Sequence, residues 1–389
     1  AVNWDSTSGG ATGSGFVIPS GSSSVTKSLQ VASAGSVVLG VATSTPAAPG
    51  ATACTFGSPA CTFTAATAGF IFSASATGSS ANIATQTAGT ATSAVYLRAV
   101  QASTTNAAVC TPAIVGQSNV AVTMGYTCNN PSTCQSGNYL NVNASGVPST
   151  GGSVSLNFDA NGASQLSLRY DDVGQITLSA NRAQTPVSGG TSVTLSGASN
   201  AFVVRPSTLT VSAVSATAAT ARPAGGLVKA GESFSATVTA QNALGSTTPS
   251  FGKEGASVLL TPSLVTPATG NNPAISNGTI PGSEFGSTGM SNDANGVARV
   301  TNLSWTEVGS ITLTPTVSDY LGTGALTGTA SATVGRFYPN HFAVSGTPSV
   351  TPACGFAYFG QSNAVAVSDR KSTRLNSSHI PLFRMPSSA

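Results

Sequence analysis

Hydrophobic and polar side chains alternate with a period of two along much of this chain. In the stretch 174–180, GQITLSA, the apolar residues fall on one face, and Gln175, Thr177 and Ser179 fall on the other. Such alternation predicts antiparallel β-sheets that are buried on one side. The inward positions that it predicts are Ile176, Leu178 and Ala180, then Phe234, Ala236, Val238 and Ala240, and finally Ile311, Leu313 and Pro315. No segment keeps the apolar spacing of a helix, so we expect an all-β protein.

One short unit of the sequence occurs twice. The first copy, DANGASQLSLRYDDVGQITLSA, begins at Asp159, and the second, DANGVARVTNLSWTEVGSITLTP, begins at Asp293, 134 residues later. Each copy has a turn, an alternating strand that ends in an aromatic residue, an acidic-Val-Gly turn and a second alternating strand. Because Asp and Asn tolerate left-handed backbone conformations and Gly supplies positive φ, both DANG sequences predict tight turns.

The repeated unit has the sequence pattern of a β-hairpin, so we expect its two strands to pair with each other. The aromatic residues that end the first strand of each copy, Tyr170 and Trp305, occupy matching positions. Their recurrence favours packing into two equivalent cores, whereas a platform for sugar rings would require both side chains to be exposed.

The spacing of short strands and turns around each copy predicts an immunoglobulin-like sandwich. The expected fold is therefore all-β, with tandem immunoglobulin-like antiparallel β-sandwiches, and 389 residues are enough for several such domains. The predicted organisation is an N-terminal β-rich module over residues 1–74, sandwiches over 75–205 and 206–335, the start of a C-terminal β domain over 336–368, and a separate tail over 369–389.

The chain carries few charges, and their distribution is uneven. Charged residues make up 6% of the sequence and hydrophobic residues 40%, which is typical of a folded chain and not of a disordered one. The formal net charge of +3 arises in residues 369–389, which hold four of the 14 basic residues and one of the 11 acidic ones. The remaining body is neutral and gives no support to nucleic-acid binding. No apolar run approaches the ~18 residues of a membrane span.

The six cysteines are Cys54, Cys61, Cys110, Cys128, Cys134 and Cys354. The first two are seven residues apart, and the fourth and fifth are six apart, across loops rich in Gly, Pro, Ser and Asn. This spacing favours small disulfide-closed loops formed in an oxidising compartment. A metal site is disfavoured because there is no CxxC motif and the body has one histidine. The connectivity stays open, and Cys110 and Cys354 receive no assigned partner.

Few residue constellations in the sequence could support catalysis. Nucleophilic catalysis needs a base, but the one histidine outside the tail is His341, and no GxSxG motif occurs. The adjacent residues Asp171 and Asp172 are expected to point to opposite sides of the backbone, whereas a glycosidase needs two carboxylates that face one bond. The sequence therefore predicts no catalytic residue, no cofactor and no enzyme activity.

Calcium is the alternative ligand for the acidic turns. Oxygen atoms could converge in the two DANG sequences, at Asp159, Asn161, Asp293 and Asn295. An EF-hand-type loop needs further acidic ligands and a terminal Glu, which these turns lack. Turn geometry accounts for the four residues, so we predict no metal site.

Longer stretches resemble known bacterial families. The repeated unit resembles the immunoglobulin-like domains of invasin-type and intimin-type surface proteins. Six stretches occur in an order similar to that of MshQ-type proteins, a family associated with the mannose-sensitive haemagglutinin type IV pilus. They are CTFTAATAGFIF, TQTAGTATSAVYLRAV, LRYDDVGQITLSA, FVVRP, AGESFSATVTAQNALGSTTPSFG and RFYPNHFAVSG followed by CGFAYFGQ.

The resemblance to MshQ-type proteins extends from Cys54 to Gln361. It implies an exported, non-enzymatic protein at the bacterial surface, tied to pilus biogenesis or adhesion, with pilus components or host and surface glycans as partners. It transfers no catalytic residue to this chain. Two other functions stay open: an invasin-like adhesin stalk unrelated to pili, and an accessory binding module of a carbohydrate-active protein.

The segment from Asp369 to His379, DRKSTRLNSSH, resembles the translation of a sequencing adapter, residue for residue. The final RMPSSA matches the adapter continuing in the same frame, with Phe383 where Ser is expected. We therefore predict that a fresh read of the source locus diverges from this chain near Ser368. Recovery of the same tail inside a longer natural gene would contradict this origin.

Overall fold

In the part of the chain that the computed structural model describes, the regular elements are β-strands and one 3-10 turn, Gly282–Glu284. The structure describes residues 2–6, 18, 20–24, 35–44, 62–65, 68–78, 83–102, 110–184, 193–215, 228–286, 295–344 and 367–369. Near the N-terminus, β1 (Val2–Ser6), β2 (Gly35–Ser44) and β3 (Thr62–Ala65) form an antiparallel sheet in that order. The prediction of an all-β protein is confirmed.

Residues 68–205 form the first sandwich, which has two six-stranded sheets. Its strands are β4 (Ala68–Ser73), β5 (Gln86–Thr87), β6 (Thr92–Ala102), β7 (Cys110–Pro112), β8 (Val120–Asn130), β9 (Leu140–Val142), β10 (Ser145–Val147), β11 (Gly152–Leu156), β12 (Ala163–Tyr170), β13 (Gly174–Gln184), β14 (Val193–Ala198) and β15 (Phe202–Arg205). One sheet has the order β10-β9-β12-β6-β4, with β7 beside β6. The other has the order β11-β8-β13-β15-β5, with β14 beside β13. The pairings are antiparallel except that of β5 with β15, which is parallel.

Period-two alternation accounts for the core of the first sandwich. Ile176, Leu178 and Ala180 are buried, as predicted, and the residues between them are partly or fully exposed. Tyr170 of one sheet lies edge-on to Tyr126 of the other, with ring centroids 5.3 Å apart, a geometry that aromatic rings favour. Tyr170 is therefore a core residue and cannot form a platform for sugars.

Residues 208–338 form the second sandwich. Its strands are β16 (Thr208–Ser212), β17 (Val228–Lys229), β18 (Ser233–Gln241), β19 (Val258–Thr266), β20 (Thr279–Ile280), β21 (Val297–Ser304), β22 (Gly309–Val317), β23 (Leu326–Thr327) and β24 (Val334–Tyr338). One sheet has the order β16-β18-β21, and the other has the order β17-β24-β22-β19-β20 with β23 beside β22. The parallel pairing of β17 with β24 repeats that of β5 with β15.

The core of the second sandwich also follows the predicted pattern. The inward positions predicted on β18 and β22 are all buried. Trp305 is completely buried, and its indole N–H donates to Pro273 O at 3.1 Å, which satisfies the one polar atom that burial removes from water. Its ring lies edge-on to that of Phe337 at 5.2 Å. Trp305 is therefore the structural counterpart of Tyr170, as the repeat predicted.

The prediction that the repeated unit is a β-hairpin is wrong. β12 and β13 lie in different sheets of the first sandwich, and β21 and β22 lie in different sheets of the second. β12 pairs with β6 and β9, and β13 pairs with β8 and β15, so neither strand has an edge free for the other. The acidic-Val-Gly turn is instead a corner that carries the chain from one sheet to the other. Its residues Asp172 and Val173 are buried because the corner closes over the core.

Beyond the second sandwich, β25 (Phe342–Val344) pairs antiparallel with β26 (Val367–Asp369). The other residues of the basic tail, and most of those predicted to begin a C-terminal β domain, lie outside the described residues.

We predict that Gly309→Ala strongly destabilises the second sandwich. Gly309 has φ of 125°, and a Cβ at this corner would collide with the carbonyl oxygen of Thr266, so alanine meets both backbone strain and a fixed backbone atom. Gly322→Ala is the matched control, because Gly322 has φ of 76° but open space around its Cβ direction. In urea unfolding, we expect losses of about 2–4 kcal/mol for Gly309→Ala and about 1 kcal/mol for Gly322→Ala. Equal losses would contradict this account of the corner.

Candidate functional site

The two sandwiches meet in a hydrogen-bonded contact that we call the joint. The first sandwich contributes residues 88–89, 170–173 and 205 to it, and the second contributes residues 242–254 and 320–325. Between β15 and β16 the linker is Pro206-Ser207, and proline restricts its backbone further. Within the described residues, six hydrogen bonds cross from one sandwich to the other. A linker this short holds the facing loops in contact.

Asn242 organises the loop of the second sandwich that enters the joint. Its side chain is 3% exposed, and its Nδ2 donates to Asp171 O of the first sandwich at 2.9 Å. Its Oδ1 accepts the backbone N–H groups of Leu244 and Ser246, both at 3.0 Å, and so closes its own loop. One buried amide therefore shapes the loop and binds it to the neighbouring sandwich.

The backbones of the two sandwiches also touch directly. The Ala243 N–H donates to Ala88 O at 2.8 Å. The next residue, Gly89, has φ of 78°, and a Cβ there would lie 2.8 Å from Ala243 N. Glycine is thus required at this position, both for its backbone conformation and for the close approach of the second sandwich.

Asp172 lies at the centre of the joint and is completely buried. Its two carboxylate oxygens accept hydrogen bonds from the second sandwich: the Ser250 N–H at 2.9 Å and the Ser250 hydroxyl at 2.7 Å. The adjacent Asp171 points outward and forms an ion pair with Arg169 at 2.7 Å. The two aspartates therefore point to different sides, as predicted, and the inner one binds across the joint.

Arg205 supplies the remaining contacts. Its guanidinium donates to Thr323 O at 3.2 Å and to Ala325 O at 2.5 Å, both in a loop of the second sandwich. Arg205 is the last residue of β15, so this cation fixes the end of the first sandwich directly before the linker.

Titratable groups of the joint have pKa values that burial displaces. Burial raises the pKa of Glu254 to about 7, and the charge of Asp172 adds to the rise. Burial also raises the pKa of Asp172, opposed by the donors of Ser250. It raises the pKa of Tyr126 to about 12, and it raises those of Tyr170 and Tyr320 as well, so these phenols stay neutral at physiological pH.

The joint does not have the donor set of a cation site. The groups directed at Asp172 are N–H and O–H donors, which stabilise an anion, whereas a metal ion would require converging lone pairs. Among the described residues, no group of three or more His, Cys, Asp or Glu side chains could hold a metal ion.

The first of the two DANG turns considered for calcium uses the Asp159 side chain locally. In the first copy, Asp159 Oδ1 accepts the N–H groups of Asn161 and Ala163 at 2.8 and 2.9 Å, and Gly162 has φ of 69°. This is the hydrogen-bonding of an Asx-type turn. In the second copy, Asn295 lies within the described residues, whereas Asp293 does not.

Cys110, Cys128, Cys134 and His341 make none of the hydrogen bonds that cross the joint. Cys128 and Cys134 form a disulfide at the end of β8, with their Cα atoms 5.4 Å apart. Cys110 is an exposed free thiol on β7. His341 is exposed immediately before β25. Three further sequence candidates, Cys54, Cys61 and Cys354, lie outside the described residues.

The joint was not predicted from the sequence, although the repeated unit contains an acidic residue that indicates it. The acidic residue of each acidic-Val-Gly corner is buried: Asp172 in the first sandwich and Glu307 in the second. Glu307 accepts hydrogen bonds from Val308 N–H at 2.9 Å and Asn271 Nδ2 at 3.3 Å, all within its own sandwich. Because the acidic residue precedes an apolar Val in both copies, the sequence could have indicated a buried carboxylate. It could not have indicated which group that carboxylate binds.

The fold and the joint define a protein of tandem immunoglobulin-like β-sandwiches that are bonded directly to one another. Three family models match the chain in order: the domain of unknown function DUF6701, first Ig-like domain, over residues 51–198; the DUF6701 second domain over 205–299; and the DUF6701 third domain over 307–373. Together they span well over half of the sequence, and the chain belongs to the DUF6701 family. The third match begins at Glu307, so β22 and β24 of the second sandwich fall within it.

Two solved structures are similar to parts of the chain. The D0-D1 domain of intimin is 15% identical with a TM-score of 0.17, over 68% of this chain and 97% of that one. Invasin, described as a bacterial integrin-binding protein, is 17% identical with a TM-score of 0.27, over 73% of this chain and 43% of that one. TM-scores this low support no argument about function. No curated protein sequence matches the chain significantly. The described residues include no helix that is long and apolar enough to cross a membrane.

We predict that Asn242→Ala loosens the joint. The change removes a buried amide with three hydrogen bonds and leaves Asp171 O without its donor, so the free energy of unfolding should fall by about 2–4 kcal/mol. Gln241→Ala is the matched control, because the adjacent Gln241 amide is more exposed and bonds only Gly245 O within its loop. We expect it to cost less than about 1 kcal/mol in thermal unfolding. Similar losses for both variants would argue against the role of Asn242.

Proposed function

We propose that this chain is a non-enzymatic, surface-exposed structural protein of a bacterium, in which directly bonded sandwiches form a stiff stalk. The observation that carries this proposal is the joint, with six hydrogen bonds and a linker of Pro206-Ser207. Flexible linkers between domains are usually longer and rich in Gly or Ser. Here the bonded loops oppose bending, which is what a projecting stalk requires.

Export to the cell surface is supported by the disulfide chemistry. Disulfides persist mainly in oxidising compartments, and Cys128 and Cys134 close a loop of the first sandwich. The low charge content of 6% and the abundance of small polar residues are also typical of exported bacterial β proteins.

Association with a type IV pilus is the finer part of the proposal. It rests on the sequence resemblance to MshQ-type proteins, whose most distinctive stretch here is RFYPNHF, residues 336–342. In this function the stalk contacts pilus components or presents a region that binds host or surface glycans.

An adhesin stalk unrelated to pili is the second candidate, because the joint supports any projecting array equally well. A sugar-binding accessory module has less support. The recurring aromatics Tyr170 and Trp305 would have to be exposed to form a sugar platform, but they are buried in the two cores, as their recurrence predicted.

Deletion of the gene in the source bacterium, followed by complementation, tests the proposal. Antibody labelling of intact cells should detect the protein, and deletion should reduce both pilus number in electron micrographs and adhesion. Complementation with Asn242→Ala at normal abundance should restore labelling but not full adhesion, whereas Gln241→Ala should restore both. Unchanged pilus number with lost adhesion would favour the stalk unrelated to pili. Absence of surface labelling would contradict both candidates.

A further inference from the structure

The end of the first sandwich that enters the joint has a structural copy at one end of the second sandwich. In the first sandwich, β5 pairs parallel with β15, and the Gly89 N–H after β5 donates to Tyr170 O at 2.8 Å. In the second, β17 pairs parallel with β24, and the Gly231 N–H after β17 donates to Trp305 O at 2.7 Å. The two glycines have φ of 78° and 84°. The same backbone structure therefore occurs at both ends.

The correspondence extends to the strand ends and the corners. The Ala88 N–H donates to Arg205 O at 2.8 Å, and the Ala230 N–H donates to Tyr338 O at the same distance. The glycines that follow the acidic-Val pair at the two corners have φ of 120° and 125°. The second sandwich thus presents the backbone surface that the first sandwich uses to bind its neighbour.

The two ends differ in exposure. Gly89 is buried and Asp171 is half-buried, because the second sandwich lies against this end of the first. The equivalent residues of the second sandwich, Gly231 and Thr306, are both exposed. One copy of the surface is therefore covered by a domain, whereas the described part of the chain leaves the other copy open.

The open end offers hydrogen-bond acceptors at the positions that the joint uses. Across the joint, two carbonyl oxygens of the first sandwich, Ala88 O and Asp171 O, accept donors of the second. The equivalent oxygens are Ala230 O and Thr306 O, and neither accepts a hydrogen bond from any residue that the structure describes. A domain with donors placed like those of the second sandwich would satisfy both.

Two charged contacts of the joint have no counterpart at the open end. Tyr338 occupies the position of Arg205, so no guanidinium is present there. Glu307 accepts a hydrogen bond from Asn271 inside its own sandwich, whereas Asp172 accepts donors across the joint. The open end therefore offers mainly its backbone carbonyl groups.

The chain itself provides a domain to cover the open end. After the first sandwich, the linker Pro206-Ser207 leads to β16, which begins at Thr208. After the second, a linker over 339–341 that also begins with proline leads to β25, which begins at Phe342. The match to the DUF6701 third domain continues past β25 to residue 373. A domain that begins at β25 thus emerges beside the open end, as the second sandwich emerges beside the first.

We propose that the end of the second sandwich formed by residues 229–232, 305–309 and 338 is a docking surface for the domain that begins at β25. This domain lies against Gly231 and donates hydrogen bonds to Ala230 O and Thr306 O, and so forms a second joint on the plan of the first. The second joint extends the stalk proposed above. Its use in a stalk rests on that proposal, whereas the contact itself does not.

Solvent paramagnetic relaxation enhancement tests this docking in the full chain. A soluble gadolinium chelate broadens the resonances of exposed protons and spares those that another domain covers. We expect the Hα protons of Gly231 and Thr306 to be enhanced as weakly as those of Gly89 and Asp171 in the first joint. Their enhancements should be several-fold smaller than that of the exposed Gly116, which is the internal reference.

A substitution at the docking surface should displace the neighbouring domain. Gly231→Asn keeps the backbone conformation, because Asn tolerates positive φ, but it adds a side chain where Gly89 permits close approach in the first joint. The enhancement at Thr306 should then rise several-fold, while that at Gly89 stays the same. Gly116→Asn is the matched control, because Gly116 has φ of 61° and open space around its Cβ direction, and it should leave Thr306 covered.

The proposal is overturned if the Hα protons of Gly231 and Thr306 are broadened as strongly as that of Gly116. It is also overturned if Gly231→Asn leaves Thr306 covered, or if the covering is lost on dilution, which would identify a second copy of the chain as the occupant. Should Gly231→Asn fail to fold, the measurement on the unaltered chain decides. A covered end in a protein that antibodies do not detect on intact cells would retain the second joint and contradict the stalk.

Discussion

A buried carboxylate must find donors inside the protein, and this requirement connects the two halves of the molecule. Asp172 loses all contact with water at the corner between two sheets, and the desolvation of an unpaired carboxylate would cost several kcal/mol. The neighbouring Val173 N–H supplies one donor, and the Ser250 N–H and hydroxyl of the second sandwich supply two more. The first sandwich is therefore completed by its neighbour, and each sets the position of the other.

The sandwiches and the joint rely on different interactions. Each sandwich has its own apolar core, built by alternation along the strands and by aromatic pairs such as Tyr126 with Tyr170 and Trp305 with Phe337. Such burial is insensitive to pH. The joint is held by hydrogen bonds of one amide, one carboxylate, one hydroxyl, one guanidinium and backbone groups, and the strength of such bonds depends on geometry. For a protein proposed to act as a stalk, the angle between the two sandwiches is thus set by the joint and not by the cores.

Much of the fold could be predicted from the sequence, because it is encoded locally. The all-β class and the inward faces of β13, β18 and β22 followed from period-two alternation, and the matching core positions of Tyr170 and Trp305 followed from the internal repeat. The hairpin failed for a physical reason. Period-two alternation shows which face of a strand is buried, but it does not show which strand lies beside it. Two strands that pair in one sheet and two strands that face one core from opposite sheets have the same hydrophobic pattern. The burial of Asp172 and Val173 in the corner distinguishes these cases, and it is visible only in the fold.

The sequence by itself determined the strand pattern, the twofold repeat, the tight DANG turn and the opposed directions of Asp171 and Asp172, since each depends on residues a few positions apart. Only the tertiary structure decided what those residues bind. Asn242 reaches Asp171 across 71 positions, and Ser250 reaches Asp172 across 78. No local period connects groups so distant, and Asn and Ser are also common turn residues with no partner in another domain. The joint exists because two folded sandwiches and a short linker bring these loops together, and burial in one of these loops raises the pKa of Glu254.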